Sequence, residues 1–274
     1  MRSRYRKILV AAGAALASMA LLASAAQATT PAPPYEDFAG CPSPAEEPFI
    51  GNCIKLDFSS GHIGIGKRSI PVTNPILFKG GIEQETGNIL YNAEGGIVPA
   101  QQTVPGGLIG LTGYKWLDEL VESSSLLKLY ATVELAGQPG SLTEPSTSFP
   151  VKVHLENPLL GSSCYVGSTA SPIVLNLTTG TTSPPPPNKP ISGESPVEFE
   201  SEAERPAVLI ASGTFVDNAY SVPAASGCVL NLGPIHKSID APVNQAYGLP
   251  AAAGTNETVL GFDLSLAFPG DVYP

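Results

Sequence analysis

Along much of the chain, apolar and polar residues alternate with a period of two. That pattern turns one face of a β-strand toward a core and the other toward solvent. Ile54, Leu56 and Phe58 oppose Lys55 and Asp57. Leu127, Leu129, Ala131, Val133 and Leu135 alternate with Lys128, Tyr130, Thr132 and Glu134. Val151, Val153 and Leu155 alternate with Lys152, His154 and Glu156, and Ile173, Leu175 and Leu177 form a further apolar row. Leu260, Phe262, Leu264, Leu266 and Phe268 are expected to share one face of the last strand. Shorter strands are expected around 63–72, 76–80, 88–104, 197–201 and 207–216.

Helical spacing is rare. Leu117, Leu120 and Val121 make one stripe within residues 114–121, where Trp116 takes a buried position. A second short helix is expected from an Asp240 cap through Pro242 to Tyr247, with Gly248 ending it. The prediction is a mainly β chain: an antiparallel β-sandwich or a barrel-like fold with one or two short helices.

Composition supports this. The 274 residues include 28 Gly and 28 Pro, a share that works against long helices. The prolines concentrate in a segment over 29–52 and in Thr181-Thr-Ser-Pro-Pro-Pro-Pro-Asn-Lys-Pro190. Four consecutive prolines are stiff and cannot donate to a β-ladder. We read 53–274 as a single β-rich domain with a Pro-rich loop at 181–190. The alternative is two subdomains split at that tract.

The first residues carry Arg2, Arg4, Arg6 and Lys7, followed by an apolar, Ala-rich stretch ending in Ala26-Gln-Ala28. That order is the one a secretory signal peptide has, which predicts residues 1–28 as the signal and cleavage after Ala28. The rival is a retained membrane anchor. After cleavage no apolar run approaches the roughly 20 residues needed to span a bilayer as a helix. The mature chain would keep 10 Lys+Arg against 24 Asp+Glu, a formal charge of −14. Such a balance excludes a nucleic-acid partner, because phosphate backbones require clustered cations.

Four cysteines in an exported chain imply two disulfides, with three possible pairings. Cys41–Cys53 with Cys164–Cys228 is favoured, because the first would tie the Pro-rich start to the opening strand and the second would cross the proline tract. No C-x-x-C spacing supports a metal site instead.

Catalytic chemistry finds little support. Gly61-His-Ile-Gly-Ile-Gly-Lys67 matches most of a phosphate-binding loop, but Arg68 stands where Ser or Thr should bind magnesium, and no helix pattern follows. There is no G-x-S-x-G and there are three histidines. His154 falls on the polar face of a strand and reads as solvated. His62 reads as part of a flexible turn near Asp57. His236, four before Asp240, is where a triad would be sought. Glu198, Glu200, Glu202 and Glu204 recur every second residue, so on a strand they would form one carboxylate stripe. That stripe could ligate Ca²⁺, or serve as a solvated edge that repels edge-to-edge pairing. No cofactor is expected. Asn176-Leu-Thr178 and Asn256-Glu-Thr258 are formal glycosylation sequons.

Residues 157–168 (NPLLGSSCYVGS) with 172–184 (PIVLNLTTGTTSP), and 221–228 (SVPAASGC) with 248–256 (GLPAAAGTN), resemble a group of uncharacterised secreted proteins of actinobacteria. The resemblance covers about the C-terminal half and implies an extracytoplasmic location; it brings no known activity or site. Cys164 and Cys228 lie within its two motifs.

The sequence therefore leads to a secreted or envelope-associated, non-enzymatic β protein with a binding or structural role, whose ligand the sequence does not name; a cell-envelope component or a carbohydrate is the candidate partner. A secreted hydrolase with dispersed carboxylates is the main alternative, and an oligomeric β-barrel pore a weaker one.

Overall fold

The computed structural model describes residues 30–107, 126–143, 145–196 and 199–274. The expected signal peptide, the expected helix at 114–121 with Trp116, and Glu198 lie outside the described residues.

The chain is mainly β and antiparallel, as the alternation predicts. Its strands are β1 (Ile50–Ile65), β2 (Arg68–Pro71), β3 (Ile76–Glu83), β4 (Ile89–Leu90), β5 (Gly96–Val98), β6 (Gln101–Val104), β7 (Leu129–Leu135) and β8 (Ser146–Glu156). There follow β9 (Tyr165–Val166), β10 (Ile173–Thr178), β11 (Glu200–Ser201), β12 (Leu209–Asp217), β13 (Ala225–Ser226), β14 (Val229–Leu232), β15 (Ile235–Ser238) and β16 (Thr258–Ala267). Two short helices, α1 (Asp240–Tyr247) and α2 (Pro269–Val272), lie on either side of β16. Gly248 ends α1 in the left-handed conformation at φ 67°, which glycine adopts without the Cβ penalty. The chain begins α1 at Asp240 itself, with Ile239 at the cap position and no capping side chain.

The main sheet runs β13-β9-β8-β10-β12-β16-β1-β3-β4, and among the described residues it does not close into a barrel. It bends where β10 meets β12, because these strands pair only at Thr178↔Val216. The buried Asp217 carboxylate supports the bend, accepting the N–H of Asn176 at 2.7 Å and of Ala219 at 2.8 Å. Burial pushes the Asp217 carboxyl above its ordinary range despite these two donors.

The two arms of the bent sheet enclose the core. Register aligns the apolar rows: Leu56 faces Leu264 and Phe78, and Phe58 faces Phe262 and Ile76. On the other arm Ala131 faces Leu155, and Leu175 faces Phe149. Phe149 meets Phe78 edge-on at 5.4 Å and Phe58 at 6.5 Å, joining the arms. Gly213 lies opposite Phe262, where a Cβ would come within 2.7 Å of that ring.

A second, smaller core lies on the other face of β1 and β16. Phe38, Cys41, Ile50, Cys53, Val208, Ala267 and Val272 fill it. This corrects the expected single face for the last strand. Alternation holds to Leu264, but Ser265 and Ala267 are then buried while Leu266 is half-buried and Phe268 is 60% exposed. The N-terminal segment roofs the opposite face there, so the end of β16 is covered on both sides.

That roof is fastened twice. Cys41–Cys53 bonds it to β1. The Asp37 carboxylate receives Lys55 Nζ at 2.8 Å and Arg205 Nη1 at 2.6 Å, while Arg205 Nε donates to Glu202. Burial alone would raise the Asp37 carboxyl, yet the bonds and charges of Arg205 and Lys55 outweigh it and hold it below the usual value. A depressed pKa contributes stability above the unfolded value of about 3.9 and loses it as pH falls through the folded one. Asp37→Asn is therefore expected to lower the urea midpoint at pH 7, with the gap from wild type closing as pH falls below the ordinary carboxylate range.

Cys164–Cys228 joins the ends of the paired strands β9 and β13. The Asn244 side chain on α1 bonds both the N–H and the C=O of Ala225, acting as a further strand partner for β13. The proline tract lies against two loops. Asn188 donates to Asn218 O and Asn256 O, Asn218 donates to Lys189 O, and Asn188 N–H reaches Gly254 O. Two disulfides fit an oxidising, non-cytoplasmic compartment. Among the described residues no helix is long and apolar enough to cross a membrane.

Candidate functional site

Strands β6, β7, β8 and β9 lie side by side on one arm. Their inner faces supply core residues, so their alternate residues line the outer face. Register sets Gln101, Thr132, His154 and Tyr165 in one row across the four strands. Glu134 faces Lys152 on one side of that row, and Tyr130 faces Glu156 on the other.

The cluster is internally bonded. His154 Nδ1 lies 3.8 Å from both Glu134 and Glu156, and its ring stacks on Tyr165 at 4.4 Å. Lys152 Nζ reaches Glu134 at 3.0 Å and sits over the Tyr165 ring at 4.4 Å. Glu156 Oε2 accepts from Thr132 at 2.6 Å and from Gln101 at 3.2 Å. Burial, then the charge of Glu134, pushes the Tyr165 phenol up.

Beside this row opens a hollow of about 390 Å³, lined by Gln101, Tyr130, His154, Glu156, Asn157 and Leu160 among others. Asn157 fixes its rim by donating to the carbonyls of Leu126 and Lys128 and accepting Leu159 N–H. The volume lies at the small end of the ~300–1,000 Å³ typical of ligand pockets. Rigid strands, an aromatic ring and hydrogen-bonding side chains in one concavity suit the capture of a polar molecule.

The residues singled out from sequence fare unevenly. His154 is not solvated: its side chain is 17% exposed and its Nε2 is buried. Cross-strand neighbours cover it. His62 sits in the long strand β1 rather than in a flexible turn, 3.6 Å from Glu257. His236 lies on β15 and its Nδ1 bonds Asn231 Oδ1. The Gly61–Lys67 stretch is extended, turning at Gly66 (φ 60°) into β2.

The glutamates do not form one stripe. Glu200 is on the two-residue strand β11, Glu202 bonds Arg205, and the chain turns between Glu202 and Arg205, which takes Glu204 off the strand. Among the described residues no three of His, Cys, Asp and Glu are placed to hold a metal ion. Of the two sequons, Asn176 is exposed on β10, whereas Asn256 is buried and its amide is bonded to Tyr220, Ala252 and Gly66.

The residues missed as a group were Gln101, Tyr130, Thr132, Glu134, Glu156 and Tyr165. A signal was present, since the polar faces of residues 127–135 and 151–156 carry most of them. Comparison of the chain with models of protein families finds no match. Comparisons with curated proteins and with solved structures likewise find no match.

Proposed function

We propose that the protein is a secreted or envelope-associated, non-enzymatic β protein that binds an envelope component through the outer face of β6–β9. The hollow beside His154 carries this reading: its polar side chains are held by one another on rigid strands and open to solvent. Sites of this kind orient a ligand through a few placed polar groups. Export is supported by the two disulfides, by the Arg-led apolar leader, and by the resemblance to secreted actinobacterial proteins.

A hydrolase is the second reading, because Glu134 and Glu156 both stand 3.8 Å from one nitrogen of His154. A pair of catalytic carboxylates must face the same scissile bond. Only Glu156 of the two lines the hollow, and Glu134 is turned to Lys152 and Tyr165.

The test mixes residues 29–274 with washed envelope fragments of a Gram-positive bacterium and sediments them. The protein is expected in the pellet, with no reducing sugar released. Protein left in the supernatant, or sugar released with time, contradicts the proposal.

A further inference from the structure

We infer that the hollow beside His154 recognises a neutral, hydroxyl-rich pyranose unit, stacked on Tyr130 and hydrogen-bonded by Glu156 and Gln101. The inference rests on the binding role proposed above and names its ligand class.

Three observations converge. Tyr130 and Glu156 are direct cross-strand partners, so ring and carboxylate stand next to each other on one face. An aromatic ring packs against the C–H face of a sugar, while a carboxylate beside it accepts from the hydroxyls at the rim. Thr132 and Gln101 occupy Glu156 Oε2, which fixes the carboxylate and leaves Oε1 turned toward His154 with acceptor capacity remaining. The Gln101 amide adds a carbonyl acceptor and a second N–H on the same wall.

Charge selects the class of sugar. Glu156 lines the hollow, while among the described residues no Lys or Arg does so. Lys152, the lysine of the cluster, is engaged by Glu134 and Tyr165. With a formal charge of −14 expected for residues 29–274, anionic polymers such as glycerol-phosphate chains are repelled. A hollow of about 390 Å³ suits one or two rings rather than a long chain.

Two other hollows among the described residues lack this combination. One of about 310 Å³ beside Asp217 has hydroxyls but no aromatic ring, and its aspartate is spent on Asn176 and Ala219. Another, of about 60 Å³, is almost wholly apolar.

Isothermal titration of residues 29–274 with pentamers of β-1,3-glucan, β-1,4-glucan and α-mannan, with a chitosan pentamer and with poly(glycerol phosphate) tests the inference. At least one neutral pentamer is expected to bind, and poly(glycerol phosphate) is not. Tyr130→Ala and Glu156→Gln should each weaken binding about tenfold or more, about 1.4 kcal/mol, while Tyr130→Trp keeps it. Thermal melts of each variant separate lost binding from lost fold. Binding confined to the chitosan or the phosphate polymer overturns the inference, as does neutral-glycan binding that folded Tyr130→Ala and Glu156→Gln leave unchanged. Envelope sedimentation without any neutral-pentamer binding removes the ligand class alone; loss of both removes the binding role as well.

Discussion

Replacing Cys164 and Cys228 together by alanine is expected to lower the unfolding free energy by about 4 kcal/mol, the largest loss from any single cross-link here. The bond spans 64 residues, against 12 for Cys41–Cys53. Loop-closure entropy grows with the logarithm of that span, which gives about 3 kcal/mol for the shorter link. The longer loop contains β9, β10, the proline tract, β11, β12 and β13, so releasing it frees nearly a quarter of the chain in the unfolded state. Both sulfurs are fully buried, which is why alanine, and not serine, is the clean replacement. Urea unfolding of the double variant measures the loss. A midpoint equal to wild type would show that the link does not restrain the chain.

Phe149→Ala is expected to cost about 3–5 kcal/mol, a large part of the 5–15 kcal/mol that holds a typical domain together. Phe149 is 3% exposed and is the ring that touches both Phe58 and Phe78 across the bend of the sheet. Its removal leaves a cavity between two arms that share one paired position along their common border. Phe149→Leu fills much of that space and should cost distinctly less. Chemical denaturation of the pair resolves the difference. Equal, small losses would mean that the arms do not pack through this ring.

How far the sequence carried differs from element to element. Alternation within β7, β8 and β10 was legible because each is buried on one face, which imposes a period of two on the residues. β16 was legible only to Leu264. Beyond it the N-terminal segment covers the other face, and that is a long-range contact which no local pattern records. The glutamates at 200, 202 and 204 kept strand spacing in the text, but the chain turns after Ser201 to bring Arg205 under Asp37. Here a tertiary ion pair overrides a local period.

The candidate site was half-visible for a related reason. Tyr130, Thr132 and Glu134 stood on one polar face, and Lys152, His154 and Glu156 on another. What the sequence could not state was the register that sets Tyr130 opposite Glu156 and Thr132 opposite His154. A shift of one residue would turn every one of these side chains into the core. The disulfides were easier, because a short link and a long link partition four cysteines naturally once the strands on either side are recognised.

The role proposed for the outer face of β6–β9 is to bind a neutral sugar without transforming it. A ¹H–¹⁵N correlation spectrum of ¹⁵N-labelled residues 29–274, titrated with the pentamer that binds best and followed for a day alongside the sugar's anomeric protons, tests this role. The prediction is amide shifts gathered on Gln101, Tyr130, Thr132, His154 and Glu156, with the anomeric signals unchanged throughout. Shifts centred on any other face, or new anomeric signals growing with time, would contradict it.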